Sequence, residues 1–381
     1  MNLHIIENKF AELFSGNFNL YTSPGRINLI GEHTDYNGGF VFPGAIDKGI
    51  YAAVYPNNTD IINAFSLDYN ESATFGMEEE NIPEQSWARY IFGVVREIIK
   101  RGYTLKGFNC VFAGDVPLGA GMSSSAALES CFAFALNDLF SLGMDKITLA
   151  YIGQATEHNY CGVKCGIMDQ FASVFGKQDN LIRLNCATME YHYFPFNIKG
   201  YKLVLLDTCV KHELASSAYN RRRESCENVL KAIQLSNPDI KYLSDADSDI
   251  LMSVKDNISS EDFRRAKYVI DEKQRVLSVC DALYTNDYET IGRCMYQTHE
   301  GMSKDYEVSC EELDFLNAVA KNCNVTGSRV MGGGFGGCTI NLVKTMLYQD
   351  FISIAQKEFK RKFGVEPKVY DVKISDGARK L

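Results

Sequence analysis

Apolar residues along the chain fall into two repeating patterns. Leu128, Cys131, Phe132, Ala135, Leu136, Leu139 and Phe140 recur at three- and four-residue spacing, which predicts a long buried helix. The same spacing predicts helices over 1–14, near 85–101, 146–160, 168–175, 260–284, 287–302, 309–322 and 347–362. A further helix carries Cys226, Val229, Leu230 and Ile233 on one face. Short apolar or alternating runs predict strands near 17–21, 40–46, 49–56, 61–66, 108–115, 203–207, 338–343 and 368–374. Residues 236–260 are polar and broken, and neither an internal repeat nor a low-complexity linker is visible. Mixed helices and strands over 381 residues suit an α/β protein of two domains, with the change expected near residue 200, giving 1–200 and 201–381.

Composition narrows the class. With 46% hydrophobic and 23% charged residues the chain reads as an ordinary globular protein. A net charge of −9 argues against nucleic acid or an anionic membrane held by bulk charge. No apolar run reaches the roughly 18 residues of a membrane span, and Met1–Phe14 lacks the basic and apolar parts of a signal peptide. The 12 cysteines are scattered through apolar patterns, as reduced thiols of a cytoplasmic protein would be. Cys161 and Cys165 have no second pair at zinc spacing. Asp245, Asp247 and Asp249 imitate a calcium loop, but Ile250 stands where glycine is needed. His212–Glu213 is not a zinc-protease motif, because position 216 is Ser, and Arg221–Arg223 reads as a solvated or ion-paired face.

Three stretches carry candidate chemistry. Pro117–Glu129 places Gly119 and Gly121 before Ser123, Ser124 and Ser125, at the start of the buried helix. Glycines let backbone approach a ligand, and unpaired N–H groups at a helix start attract anions. A plain serine-capped helix would look the same; a Walker A loop would need a lysine, and a dinucleotide fingerprint a third glycine. Ser23–Gly39 holds Arg26, Glu32, His33 and Asp35 among buried-looking Ile27, Leu29 and Ile30, as a loop packed over a site would. Carboxylates with a nearby arginine suit recognition of several hydroxyls, and a solvated turn with an incidental ion pair is the plainer alternative. Gly332–Gly337 has five glycines in six residues, which permits close backbone approach or close strand packing. Asp169, at a helix start, reads by itself as a cap.

Taken together, these motifs resemble the galactokinases, within the GHMP superfamily of small-molecule kinases. Gly25–Gly39 looks like the galactokinase signature, Pro117–Ser125 like the superfamily's ATP motif, and Gly332–Gly337 like its third, glycine-rich motif. Cys165–Gln170 and Ser216–Arg223 match as well. The resemblance implies a two-domain α/β (α+β) fold with the site in the inter-domain cleft, and ATP-dependent phosphorylation of D-galactose at its anomeric hydroxyl. It implies Asp169 as the catalytic carboxylate and Arg26 as transition-state stabiliser, with base and orienting roles left open for Asp169. Glu32, His33, Thr34, Asp35, Gly166 and Tyr219 would hold the sugar. Gly119, Ala120, Gly121, Met122, Ser123, Ser124 and Ser125 would cradle the phosphates, Ser66 would contact the nucleotide, and Ser125 and Glu157 would ligate Mg²⁺. A cytoplasmic monomer would be ordinary. An N-acetylgalactosamine kinase is one alternative, since it shares the machinery. A catalytically silent galactose and ATP sensor is another, against which the intact Ser123–Ala127 segment argues. Phe42 and Met331 depart from the usual Leu and Thr.

Overall fold

The structure is a computed structural model describing residues 1–381 except Leu118 and 212–214; the side chains of 211, 215 and 216 also lie outside the described set. His212–Glu213 and the Ser216 end of the Ser216–Arg223 motif therefore lie outside the described residues.

In chain order, α1 (Leu3–Leu13) leads to β1 (Asn19–Asn28), β2 (Phe40–Val41), β3 (Pro43–Pro56), β4 (Ile61–Ser66) and β5 (Glu71–Gly76). Then come α2 (Ser86–Lys100), β6 (Phe108–Gly114), α3 (Ser124–Leu139), α4 (Lys146–Thr156), α5 (Met168–Phe175), β7 (Asn180–Asn185) and β8 (Tyr191–Pro195). The rest is β9 (Tyr201–Lys211), α6 (Ala215–Gln234), α7 (Ser248–Ser253), α8 (Ser260–Tyr284), α9 (Tyr288–Lys304), α10 (Glu311–Asn322), β10 (Gly327–Val330), β11 (Gly336–Lys344), α11 (Tyr348–Phe363), β12 (Lys368–Asp371) and β13 (Arg379–Lys380). Six strands form one sheet in the order β13-β1-β3-β6-β4-β5; β10-β11-β9-β12 form a second and β2-β7-β8 a third.

Helix α3 packs on β1 and β3 and against α2, α4 and α5. That explains why Ala126–Ala133 are all buried, with Glu129 and Ser130 enclosed among the apolar residues. One large core joins the six-stranded sheet to Leu203, Leu205, Cys338 and Ile340 of the second sheet. The last strand, β13, returns to pair with β1.

The elements differ from their sequence expectation in four places. The Ser23–Gly39 stretch begins as strand, not loop: Pro24–Asn28 pair with β3, and a bulge between Pro24 and Arg26 absorbs the Pro-Gly step. The strands expected at 40–46 and 49–56 become a two-residue β2 and one 14-residue β3, which runs on through Asp47 and Lys48. The helix expected over 146–160 ends at Thr156, and one π turn, Glu157–Cys161, follows. Strands β5, β7, β8, β10 and β13 and the six-residue α7 have no sequence expectation, being short or half-polar.

Candidate active site

Two cavities meet at the start of α3. The first, about 260 Å³, is lined by Arg26, Glu32, His33, Asp35, Tyr90, Ser125, Glu157, Val163, Cys165, Gly166, Met168, Asp169, Tyr219, Gly332 and Gly333. The second, about 200 Å³, lies among Tyr69, Trp87, Phe112, Ser124 and Leu128 and shares Tyr90 and Ser125 with the first.

An ion pair lines the first cavity. Arg26, aimed inward just after the β1 bulge, donates from Nε to Asp169 Oδ1 at 2.8 Å and from Nη2 to Oδ2 at 2.9 Å. Its Nη1 donates to the Gly121 carbonyl, and its backbone N–H to the Met122 carbonyl at 3.1 Å. The arginine side chain is 4% exposed and the carboxylate 29%, so the carboxylate is the more open of the two toward the cavity that both line. Burial works against the Arg26 charge, yet Asp169 and Glu32 outweigh it and hold the guanidinium pKa above its ordinary value.

The Gly/Ser loop reaches this pair through left-handed backbone at Gly119, Gly121 and Ser123, with φ of 76°, 75° and 57°. Ser123 does not cap α3; its hydroxyl donates to Asp169 Oδ2, and the helix starts with no side-chain cap. The third glycine motif packs on this loop backbone to backbone. A Cβ on Gly337 would lie 3.3 Å from Ala120, one on Gly121 would lie 3.0 Å from the Met331 carbonyl, and one on Gly25 would lie 2.5 Å from the Met122 carbonyl. The glycine excess thus serves loop-on-loop packing. On the far side, the π turn presents Glu157 to Ser125. Burial and the Asp169 charge push the Glu157 carboxyl up to about 7, although Ser125 bonds to it. Behind it Glu129 is fully enclosed, accepts from Gln170 at 3.0 Å, and is raised well above the carboxylate range by burial.

The turn Gly31–Asn37 is held by side chains from the second half of the chain. Arg329, wholly buried, donates from Nη1 and Nη2 to Glu32 Oε1 at 3.1 Å each, and Gly332 N donates to the same oxygen at 2.8 Å. Glu272 accepts from Gly31 N at 2.9 Å, and Tyr268 donates to the Glu32 carbonyl at 3.1 Å. Asp35 faces Asp169 across the cavity; burial and that neighbouring charge push its carboxyl up to about 7. Gly166 must be glycine, because a Cβ there would sit 1.9 Å from Asp35 Oδ2. Tyr219 lies 5.2 Å from the His33 ring, centroid to centroid, and burial holds its phenol protonated.

Of the sequence-derived candidates, Thr34, Ser66 and the loop residues Gly119, Ala120, Gly121, Met122 and Ser123 line neither cavity. Thr34 is fully buried, and its hydroxyl donates to the Gly31 and Phe40 carbonyls at 3.0 and 2.7 Å, closing the turn. Ser66 is also buried; it accepts at 3.5 Å from the backbone N–H of Tyr69, which lines the second cavity. The solvated reading of Arg221–Arg223 fails for Arg222, which is buried and donates to the Tyr306 and Glu307 carbonyls at 2.7 and 2.5 Å. The sequence does not single out Arg329, Glu272, Tyr36 or Tyr306, since nothing local marks an arginine before a glycine run or a tyrosine just past a helix as site support. Every cysteine is a free thiol, and Cys165 lines the first cavity.

Comparison with known proteins agrees with this geometry. Family models for the GHMP kinase N-terminal and C-terminal domains match residues 89–177 and 280–352, which sets the class. A model of the galactokinase galactose-binding signature matches residues 8–56. The galactokinase of Clostridium acetobutylicum is 39% identical over 386 residues, covering 100% of this chain and 99% of that one. The galactokinase of Thermosipho africanus is 38% identical over 94% of this chain and 99% of its own. The crystal structure of Lactococcus lactis galactokinase complexed with galactose superposes with a TM-score of 0.95 at 32% identity, covering 100% of both chains. Methanococcus jannaschii mevalonate kinase, at 16% identity, shares the fold with a TM-score of 0.67 over 95% of this chain and 100% of its own. The chain belongs to the galactokinase family.

Proposed function

We propose that this protein transfers the γ-phosphoryl group of ATP to the anomeric hydroxyl of D-galactose, with the sugar in the first cavity and the nucleotide crossing the Gly/Ser loop into the second. The observation that carries the reading is the Arg26–Asp169 pair, placed where a polar cavity meets an uncapped helix start. Phosphoryl transfer needs in-line positioning and charge stabilisation. The Asp169 carboxylate, open to the cavity, accepts or orients the attacking hydroxyl. Arg26, buried and fixed by Asp169 and Gly121, meets the charge that develops on the transferring group. The loop Gly119–Ser125 and the first turn of α3 supply N–H groups for phosphates. Asp35, Glu32 Oε2, Tyr219 and the backbone at Gly166 read the sugar hydroxyls. Aromatic Trp87 and Tyr69 of the second cavity suit a nucleobase, with Ser66 supporting Tyr69.

Among the described residues no group of three or more His, Cys, Asp and Glu is arranged as a cage for a metal. Mg²⁺ binds through one or two protein oxygens plus phosphates and waters. Ser125 and Glu157, a hydroxyl and a buried carboxyl that bond to each other beside the first cavity, fit that need. They would hold it, and it would supply charge neutralisation between phosphates. A monomer is the state that the family resemblance implies. Free cysteines throughout accord with a cytoplasmic setting, and among the described residues no helix is long and apolar enough to cross a membrane. We assign the lobes as 1–200 and 201–381, with β13 crossing back. The galactose-signature match and the intact Ser123–Ala127 segment support galactose phosphorylation over an N-acetylated sugar or a silent sensor. The product tests it: ³¹P NMR that shows phosphorus coupled to the anomeric proton supports the reading, and coupling to the C6 protons overturns it.

A further inference from the structure

Arg329 is wholly buried, yet each of the five N–H groups of its guanidinium has an acceptor. Nε donates to the Leu29 carbonyl at 2.9 Å, and Nη2 to the Asn28 carbonyl. Nη1 donates to the Val330 carbonyl, and Nη1 and Nη2 each donate to Glu32 Oε1 at 3.1 Å. The guanidinium thus ties β10 to the end of β1 and to the turn that follows it. Strand β10 is itself held in place: Asn317 donates to the Ser328 carbonyl at 2.8 Å, and Val330 N donates to His299 Nδ1 at 3.3 Å.

The pairing with Glu32 is lopsided. Arginine and a carboxylate often share two parallel bonds, one to each oxygen. Here both Nη atoms converge on Oε1, and Gly332 N adds a third donor to that oxygen at 2.8 Å. Among the described residues none donates to Oε2. Oε2 is not one of the oxygens sealed off without a partner either, and Glu32 lines the first cavity, so Oε2 opens there. An ionised carboxylate only accepts, so a sugar hydroxyl that meets Oε2 must donate. We propose that Arg329 is a positioning residue for the sugar: by drawing Oε1 of Glu32 into the interior, it leaves Oε2 as a single, fixed acceptor for one galactose hydroxyl.

The inference rests on the galactose reading for its sugar. A buried acceptor held in one place penalises a sugar that lacks the matching hydroxyl, because the acceptor is then left unpaired. An acceptor free to turn or to take up water imposes a smaller penalty. Arg329→Lys keeps the charge but not the fork. An ammonium has three donors, too few for Oε1 and the Asn28, Leu29 and Val330 carbonyls together, and no plane that could span them. Glu32→Gln keeps an oxygen for the three buried donors and turns its NH₂ to the cavity, so the charged acceptor is lost at the sugar alone.

The test compares kcat/KM for galactose with kcat/KM for each analogue that lacks one hydroxyl other than the anomeric one. In the wild type, losing the hydroxyl that Glu32 reads is expected to cost at least about 10-fold, the worth of a hydrogen bond to a charged group. Glu32→Gln marks that position by lowering its penalty. Arg329→Lys is expected to lower the penalty at the same position to below about 3-fold and to change the others less than about 2-fold. Arg329→Gln, which puts no unmatched cation in the interior, serves if the lysine protein does not fold. An arginine variant that keeps the wild-type penalty at that position, or lowers the penalties at all positions alike, would overturn the proposal. Denaturant melts test the pairing without sugar: the arginine variant and Glu32→Gln together are expected to lose less stability than the sum of their separate losses. Strict additivity would overturn the pairing, whereas a protein inactive on galactose would sink the functional reading and leave the melts to decide the pairing separately.

Discussion

Replacing Asp169 by asparagine keeps the side-chain shape and removes the charge. In the wild type, both carboxylate oxygens accept: Oδ1 from Arg26 Nε at 2.8 Å, Oδ2 from Arg26 Nη2 at 2.9 Å and from Ser123. An amide offers one oxygen. Whichever way it turns, its NH₂ faces a guanidinium N–H or a serine hydroxyl, so at least one charge-assisted bond becomes a donor–donor contact. Such bonds are worth about 1.5–3 kcal/mol each, but Asp169 is 29% exposed, and cavity water softens the loss to about 1–2 kcal/mol of stability. The kinetic cost is larger. Losing a general base costs about 10²- to 10⁴-fold, and Arg26, no longer bridged, loses its fixed aim at the transferring group. We expect kcat to fall at least ~10²-fold, with nucleotide affinity retained because the loop and α3 start are untouched. The substitution also removes the charge that raises Asp35 and Glu157, so both carboxyls move back toward the ordinary range. Coupled ADP release at saturating substrates, with nucleotide titration by intrinsic fluorescence, measures both effects. Turnover near wild type would refute the placement of the chemistry at this pair.

Four further outcomes follow from the site. Asp35→Ala is expected to raise the KM for galactose more than that for ATP; an effect confined to ATP would show that the pocket is misassigned. Gly166→Ala puts a methyl 1.9 Å from Asp35 Oδ2, so we expect about 1–3 kcal/mol of destabilisation and a weakened galactose affinity, read by thermal melts with and without sugar. The Asp35 carboxyl sits near 7 when folded against an ordinary 3.8, so stability present below pH 4 is lost as pH rises through 7. Asp35→Asn should therefore gain up to about 4 kcal/mol over the wild type at pH 8 relative to pH 4, less what cavity water recovers; denaturant melts showing the opposite trend would contradict the burial argument. Glu157→Gln is expected to raise the Mg²⁺ concentration for half-maximal activity, and unchanged Mg²⁺ dependence would move the cation elsewhere.

Much of this fold announces itself locally. Ser259 and Asp287 cap α8 and α9 where the expected helices begin, and β4 falls on Ile61–Ser66, where the alternation ends. The signature stretch reads as loop from its sequence because Pro24 and Gly25 look like turn residues, and only the bulge against β3 shows how a strand tolerates them. Among the site residues, Arg26, Asp35, Gly166 and Asp169 were legible through motif resemblance, and the structure puts them in one cavity. What sequence could not convey is the wiring behind them. Ser123 looks like a cap and instead holds Asp169; Thr34 looks like a ligand and instead closes its own turn. Arg329 is 297 residues from Glu32, and Glu272 is 241 from Gly31, so no local pattern could reveal either pairing.

The most direct test is ADP release from MgATP by the purified protein with galactose, glucose, N-acetylgalactosamine or no sugar. The account predicts release that depends on galactose and is weak with the other three. Release that ignores galactose, or no release from folded protein that still binds ATP, would contradict it and remove the catalytic roles given to Asp169 and Arg26.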